Sequence, residues 1–482
     1  MSGRNLLLRG WNSPTVTTWA SFAAKSLGMV LVLPMILTHF TTAEIAVWYL
    51  FISIIGLLIL LDLGFSPTFI RAIAQATAGS RQLMIADRGV GHDFESSDKL
   101  IEQLVYLMKF IYLVMALVGI VLLSTMGSYF IYNAAKHEMV AQTIYASWAI
   151  IIAVGFLQLY GFVFSNYLQG MNEVALVRRW EAITSLLGVF TGFIILFNGG
   201  SFLSVVVGTY VWNLISFIRN YWLCYRHDNI LFKSFFSLHY SRDLFKACWP
   251  MVWKSGLGVL FSQGIVQMSS LVYVGRIETK TLAMYLLSLN LLFQLRNFAM
   301  APFYSKIPML AKLFAQGNME EVRQLARKNM RWSHMAFVLG FIGLGLSAPW
   351  LLQRINSNSV FASPGLWCLM GVGFFVERYG AMHIQVYSLS NKIIWHLVNG
   401  VSGILILIFS IMTLPVMGVY AFPFGVLAGY TCFYAWYTAR FSLRFLKVEF
   451  WNFELTVSLL PLLILLVFTI IYMQMDYYQL IF

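Results

Sequence analysis

Charge is what this chain has least of. Only 11% of its 482 residues are charged and 60% are hydrophobic, with a mean hydropathy of +0.76, where an ordinary soluble domain is roughly one quarter charged. A chain built mainly of aqueous domains is excluded. Cysteine is scarce too: Cys224, Cys248, Cys368 and Cys432 lie in or beside apolar runs at no metal-ligand spacing, and read as small apolar fillers. The sequence has no phosphate loop, no HExxH and no dinucleotide fingerprint. Direct nucleotide hydrolysis has no residues to carry it, and no cofactor is expected. Nor is a cleavable leader expected, because Arg4 and Arg9 precede a polar cap of Asn12 and Ser13, and the apolar run that follows has full spanning length with no small-residue cleavage site after it.

What is present is a series of long apolar runs. Crossing a bilayer takes about 20 apolar residues, since the hydrocarbon core is about 30 Å thick and a helix rises about 1.5 Å per residue. Such runs fall near 15–38, 44–76, 101–127, 139–167, 181–198, 201–224, 250–275, 280–304, 331–353, 363–389, 394–414, 417–440 and 456–474. They are too long and continuous for the alternating ten-residue strands of a membrane barrel. The expected fold is an all-α polytopic membrane protein of about thirteen spans.

Basic residues set the orientation. With the N-terminus on the cytoplasmic side, 21 of the 32 Lys and Arg fall in inside loops and four outside, Lys136, Arg276, Lys280 and Arg354. The net charge of +13 then reflects topology and contact with anionic lipid headgroups, and no nucleic-acid partner is expected.

The chain also echoes itself. "Pro67-Thr-Phe-Ile-Arg71" closes the second run and "Pro302-Phe-Tyr-Ser-Lys306" the eighth; "Lys25-Ser-Leu-Gly28" in the first is echoed by "Lys254-Ser-Gly-Leu-Gly258" in the seventh; and "Tyr167-Leu-Gln-Gly-Met-Asn172" by "Tyr387-Ser-Leu-Ser-Asn391". Three echoes in the same order predict two six-helix halves, 1–225 and 250–441, joined by a basic cytoplasmic linker over 226–249, with an extra helix within 442–482. Parallel repeats of this kind are common in transporters, with the substrate site between the repeats.

"Leu60-Leu-Asp-Leu-Gly-Phe-Ser-Pro-Thr-Phe-Ile-Arg-Ala-Ile-Ala" and "Ile307-Pro-Met-Leu-Ala-Lys-Leu-Phe-Ala-Gln-Gly-Asn-Met-Glu-Glu-Val-Arg-Gln-Leu" resemble the second helix and the mid-chain cytoplasmic linker of the O-antigen and polysaccharide lipid flippases. These form one branch of the multidrug/oligosaccharidyl-lipid/polysaccharide exporter superfamily. The resemblance implies a V-shaped pair of bundles with alternating access, in the bacterial inner membrane. Its substrate would be a polyprenyl-pyrophosphate-linked oligosaccharide, moved from the cytoplasmic to the outer leaflet, with membrane lipids and the glycan polymerase or assembly machinery as neighbours. The odd helix at 456–474 departs from the family's even number of spans.

Ionisable residues inside the runs are the candidate site, because burying a charge in lipid is costly. Lys25 shares a helix face with Thr18, Ser21 and Gly28, and Arg378 one with Gly371, Ala381 and Gln385. Arg296 lies about 24 Å into its run. With Lys254 and Arg219, these would line a cationic cleft that holds pyrophosphate, while Tyr160, Tyr379 and Trp212 contact sugars. Asp62, Glu377 and His383 are candidates for a coupling proton. Each has a structural alternative: Lys254 and Arg219 as side chains reaching the headgroups, Lys25 paired with Asp62, and Arg378 neutralised by a partner other than its neighbour Glu377. Between Asp62 and Arg71, Gly64 and Pro67 predict a bend. Two other functions stay open. A membrane glycan polymerase or ligase needs a sizeable outer loop, whereas those here, near 128–138 and 354–362, hold about ten residues. A multidrug exporter would favour acids over bases in its cavity.

Overall fold

The computed structural model describes residues 14–77, 83–85, 88–90, 97–136, 141–233, 241–390 and 394–479. The chain divides into two compact units, Met1–Gly256 and Leu257–Phe482, and helix dominates both.

In the first unit α1 (Pro14–His39) packs along α7 (Val174–Phe197). α6 (Ala141–Gly170) lies against α4 (Ser97–Leu122) on one side and α8 (Phe202–His227) on the other. The second apolar run starts and stops for local reasons. α2 (Thr42–Ile59) opens on a capping box, in which the Thr41 amide donates to Glu44 Oε2 at 2.9 Å and the Glu44 amide to Thr41 Oγ1 at 3.3 Å. It ends in a tight turn, Leu60–Asp62, after which Leu63 (φ 47°) and Gly64 (φ 80°) take left-handed backbone before α3 (Phe65–Thr77) begins. The expected bend is thus a full break. Glycine makes the turn inexpensive, and Pro67 sits in the first turn of α3, where its missing N–H costs nothing.

One expectation about a loop is corrected here. The outer loop expected at 128–138 is largely helix, α5 (Ser128–Ala135). The linker expected over 226–249 contains the last turn of α8 and the start of α9 (Arg242–Val259). A pair of antiparallel strands that no apolar run announced, Leu83–Ile85 against Arg88–Val90, follows α3.

The second unit continues with α10 (Ile265–Tyr273), α11 (Thr279–Tyr304), α12 (Ile307–Ala315), α13 (Met319–Arg354) and α14 (Pro364–Ser388). α15 (Trp395–Met417), α16 (Ala421–Gly429), α17 (Ala435–Leu446), α18 (Phe450–Val457) and α19 (Leu459–Gln479) complete it. Phe303, Val322, Met330, Met382, Leu443 and Phe453 meet in one buried core, joining α11, α13, α14, α17 and α18. α15 and α16 form a hairpin sealed by Gly425-Val-Leu-Ala-Gly429, a small-residue spacing that lets two backbones approach. A Cβ at Gly425 would stand 2.8 Å from the Ile406 carbonyl oxygen, and one at Gly429 2.9 Å from the Ile406 nitrogen. Gly425→Ala is therefore expected to cost about 1–3 kcal/mol through overpacking; an unchanged thermal midpoint in detergent would show that the hairpin relaxes freely.

Among the described residues three π turns occur: Leu123–Gly127 between α4 and α5, Leu260–Gly264 between α9 and α10, and Tyr430–Tyr434 between α16 and α17.

Among the described residues seven helices are long and apolar enough to cross a bilayer, or eight if α18 and α19, bent by 55°, count as one span. Thirteen spans were expected. α11 and α14, of 26 and 25 residues, have the length but fall outside that class, because they carry Arg296, Glu377, Arg378, His383 and Gln385. The echoed motifs also differ in structure: Pro67 opens a new helix after a break, whereas Pro302 lies inside the continuous α11.

Candidate functional site: a polar cavity in the second unit

Three helices and a π turn enclose a cavity of about 100 Å³ lined by Arg296, Met300, Tyr304, Glu377, Ala381, Ile384, Gln385, Trp395, Asn399 and Tyr434. The spacings explain the lining. Arg296, Met300 and Tyr304 recur every four residues on α11, Glu377, Ala381 and Gln385 every four on α14, and Trp395 and Asn399 are four apart on α15, so each helix offers one stripe.

Arg296 and Glu377 face each other loosely, Nη1 to Oε1 at 3.9 Å, each 15% exposed. The guanidinium lies over two aromatic faces, 5.1 Å from Phe293 and 5.9 Å from Phe374, which orient it without consuming its N–H groups. Arg296 Nε, Glu377 Oε2 and Asn399 Oδ1 are buried without a hydrogen-bond partner. Trp395 spends its own donor on Ser388 Oγ at 2.9 Å. Buried polar groups are normally satisfied, so this arrangement suits a polar guest: an arginine fork for an anionic oxygen pair, with carboxamides and phenols for hydroxyl groups.

Of the candidates named from sequence, the cavity brings together Arg296 and Glu377. Arg378, the next residue on α14, points elsewhere, as consecutive helix residues must. It is 1% exposed. Its Nη1 donates to the Arg296 carbonyl at 3.0 Å and its Nη2 to the Ala299 carbonyl at 3.1 Å and to Ser333 Oγ, with Phe337 5.7 Å from the guanidinium. Its hydrogen-bond partners are therefore two backbone carbonyls of α11 and the Ser333 hydroxyl of α13. His383, fully buried, faces α18 and lies 3.1 Å from Glu454.

In the first unit Asp62 acts as a helix cap. Its carboxylate accepts the Ser66 amide at 3.1 and 3.2 Å, the Ser66 hydroxyl at 2.7 Å and the Tyr112 hydroxyl at 2.5 Å. Asn166 Nδ2 donates to that same Ser66 oxygen at 2.9 Å and to the Tyr112 oxygen at 3.0 Å. Arg219 bonds its neighbour Asn220 at 2.8 Å and lies 5.6 Å over the Trp180 ring. The side chains of Lys25 and Lys254 lie outside the described residues. Of the aromatic candidates, Tyr160 is buried among Phe156, Phe164 and Phe217, and Tyr379 packs tilted against His383, so neither lines the cavity. Trp212 lies on α8, its indole donating to Thr191 Oγ1 at 3.0 Å. Cys432, read as an apolar filler, is exposed.

Sequence reasoning missed Tyr304, Trp395, Asn399 and Tyr434. The i, i+4 spacing of Trp395 and Asn399 was available, but its meaning depends on which helix lies opposite. Among the described residues no group of three His, Cys, Asp or Glu side chains is placed to hold a metal ion.

No family model matches the sequence and no curated protein matches it. Solved structures do match the fold. A multidrug resistance MATE family transporter of the MOP superfamily, inward-facing, superposes with a TM-score of 0.65 at 13% identity over 88% of this chain and 94% of its own. The outward-facing form of a transporter so described gives 0.53 at 12% over 91% and 97%. The lipid II flippase MurJ in its inward closed conformation gives 0.60 at 13% over 97% and 100%. The chain has the fold that these transporters and this flippase share.

Proposed function

We propose that this chain is a flippase carrying a polyprenyl-pyrophosphate-linked oligosaccharide, an O-antigen repeat or similar glycan, from the cytoplasmic to the outer leaflet of a bacterial inner membrane. The observation that carries the reading is the cavity itself: an arginine with an unpartnered donor, amides and phenols, set among apolar helices. Hydrocarbon cannot pass a pyrophosphate or a sugar, whereas the polyprenyl tail need never leave it. In this reading Arg296 grips the anionic group, the amides meet sugar hydroxyls, and Glu377 competes for the arginine when the guest is gone. No covalent step and no cofactor is needed. The loops' basic bias supports a cytoplasmic N-terminus, and the reading takes all thirteen helical runs as membrane-crossing. The lipid-linked glycan, membrane lipids and the glycan assembly machinery are the proposed partners.

Glu377 favours a second reading, a multidrug exporter of the same fold whose cargo is cationic. Proteoliposomes decide between them. For the flippase, Arg296→Gln should slow translocation of a pyrophosphate-linked oligosaccharide roughly ten- to hundredfold, the loss of a charge-assisted hydrogen bond, while Glu377→Gln leaves a larger residual rate. For the exporter, the wild type moves cationic dyes and not the glycan, and Glu377→Gln is the more damaging change.

A further inference from the structure

Glu454 is an acid in the mostly apolar terminal helix pair, and it faces inward, 7% exposed. Its Oε1 lies 3.1 Å from Nε2 of fully buried His383, and its Oε2 accepts the Ser458 hydroxyl at 2.6 Å. Tyr379, one turn before His383 on α14, packs 4.6 Å from that imidazole and faces the same carboxylate. The other ionisable groups around the pair are few. From α13, Arg327 lies 5.4 Å over the Phe453 ring, His334 sits 6.2 Å behind Tyr379, and Arg323 is turned away to the Leu446 carbonyl and Glu320. On α17 Arg440 and Arg444 are exposed; on α14 Glu377 lines the cavity and Arg378 is bonded to α11. His383 is thus the imidazole in contact with Glu454.

We propose that His383 and Glu454 form a proton-binding site that fastens the terminal helix pair α18–α19 to α14. With the proton bound, an imidazolium meets a carboxylate; when it leaves for water, the carboxylate remains buried with no lysine or arginine nitrogen within 4 Å among the described residues, a costly arrangement. Docking of α18 and binding of one proton are then linked. Phe453 and Val457, on the same face of α18 as Glu454, enter the core beside Met382 and Val386 of α14. On α14 itself, Tyr379 and His383 face α18 while Glu377, Ala381 and Gln385 line the cavity. One helix therefore carries proton occupancy on one stripe and the cavity wall on the next. The inference stands on this packing and not on any cargo.

Hydrogen exchange on the full-length protein in nanodiscs tests it without a transport assay. After correction for intrinsic exchange, protection of the α18 amides is expected to fall between about pH 5 and 8, by as much as tenfold per pH unit for one linked proton. In His383→Gln and Glu454→Gln it is expected to be flat. Wild-type protection that ignores pH, or a wild-type slope in His383→Gln, would overturn the proposal. Should the variants not fold, histidine resonances of the wild type decide. A His383 signal titrating in step with α18 protection supports the site, and a His383 that keeps one protonation state across that range removes it.

Discussion

Arg378→Ala is expected to lower the thermal midpoint of the detergent-purified protein sharply, by the equivalent of about 3–5 kcal/mol. The side chain is fully buried and its fork joins three groups, the Arg296 and Ala299 carbonyls and the Ser333 hydroxyl. Truncation takes one donor from each, leaving the Ala299 carbonyl its bond from the Ser333 hydroxyl, costs about 1–3 kcal/mol for a group left unpaired, and opens a void beside Phe337. Arg378→Lys should recover little, because one ammonium cannot span a planar set of acceptors. The effect reaches the cavity too: the carbonyl that Arg378 holds belongs to Arg296, so the buried arginine fixes the backbone from which the cavity-lining one projects. A variant with a wild-type midpoint but no translocation would return Arg378 to direct contact with substrate.

The second large effect is expected at Asp62. Asp62→Ala removes the acceptor of the Ser66 amide, the Ser66 hydroxyl and the Tyr112 hydroxyl. A lost helix cap costs about 0.5–2 kcal/mol. Unpairing a buried hydroxyl adds about 1–3 kcal/mol, so a loss of about 2–4 kcal/mol is expected, with α3 the first segment to lose exchange protection. Asp62→Asn keeps one acceptor but turns an NH₂ toward donors, and should fall between. Full stability in Asp62→Asn together with lost transport would mark the residue as a coupling acid and not a cap.

These two residues show where the sequence is readable. The run Asp62, Gly64, Pro67 announces a break by composition, because each residue has a local conformational effect, and the break falls between Asp62 and Phe65. Likewise Arg296, Glu377 and Arg378 could not face lipid, which marked α11 and α14 as lining something other than hydrocarbon. The direction of a side chain was not readable. Glu377 and Arg378 are adjacent in sequence, yet one lines the cavity and the other clamps α11, a difference set by which helix lies about 100° further round. Glu454 lies just before the run 456–474 and carried no signal of burial, and its partner is 71 residues earlier in the chain. The strand pair Leu83–Ile85 with Arg88–Val90 lies where no apolar period exists to read.

The π turns at Leu123–Gly127, Leu260–Gly264 and Tyr430–Tyr434 bear on how this chain is to be compared with others. A π turn is one extra residue absorbed inside a helix. A relative that lacks it matches the first half of the helix in one register and the second half in another. Alignments of these helices therefore need single-residue gaps in mid-helix, where aligners are most reluctant to open them. Structural superposition is the sounder way to assign equivalent positions beyond each turn.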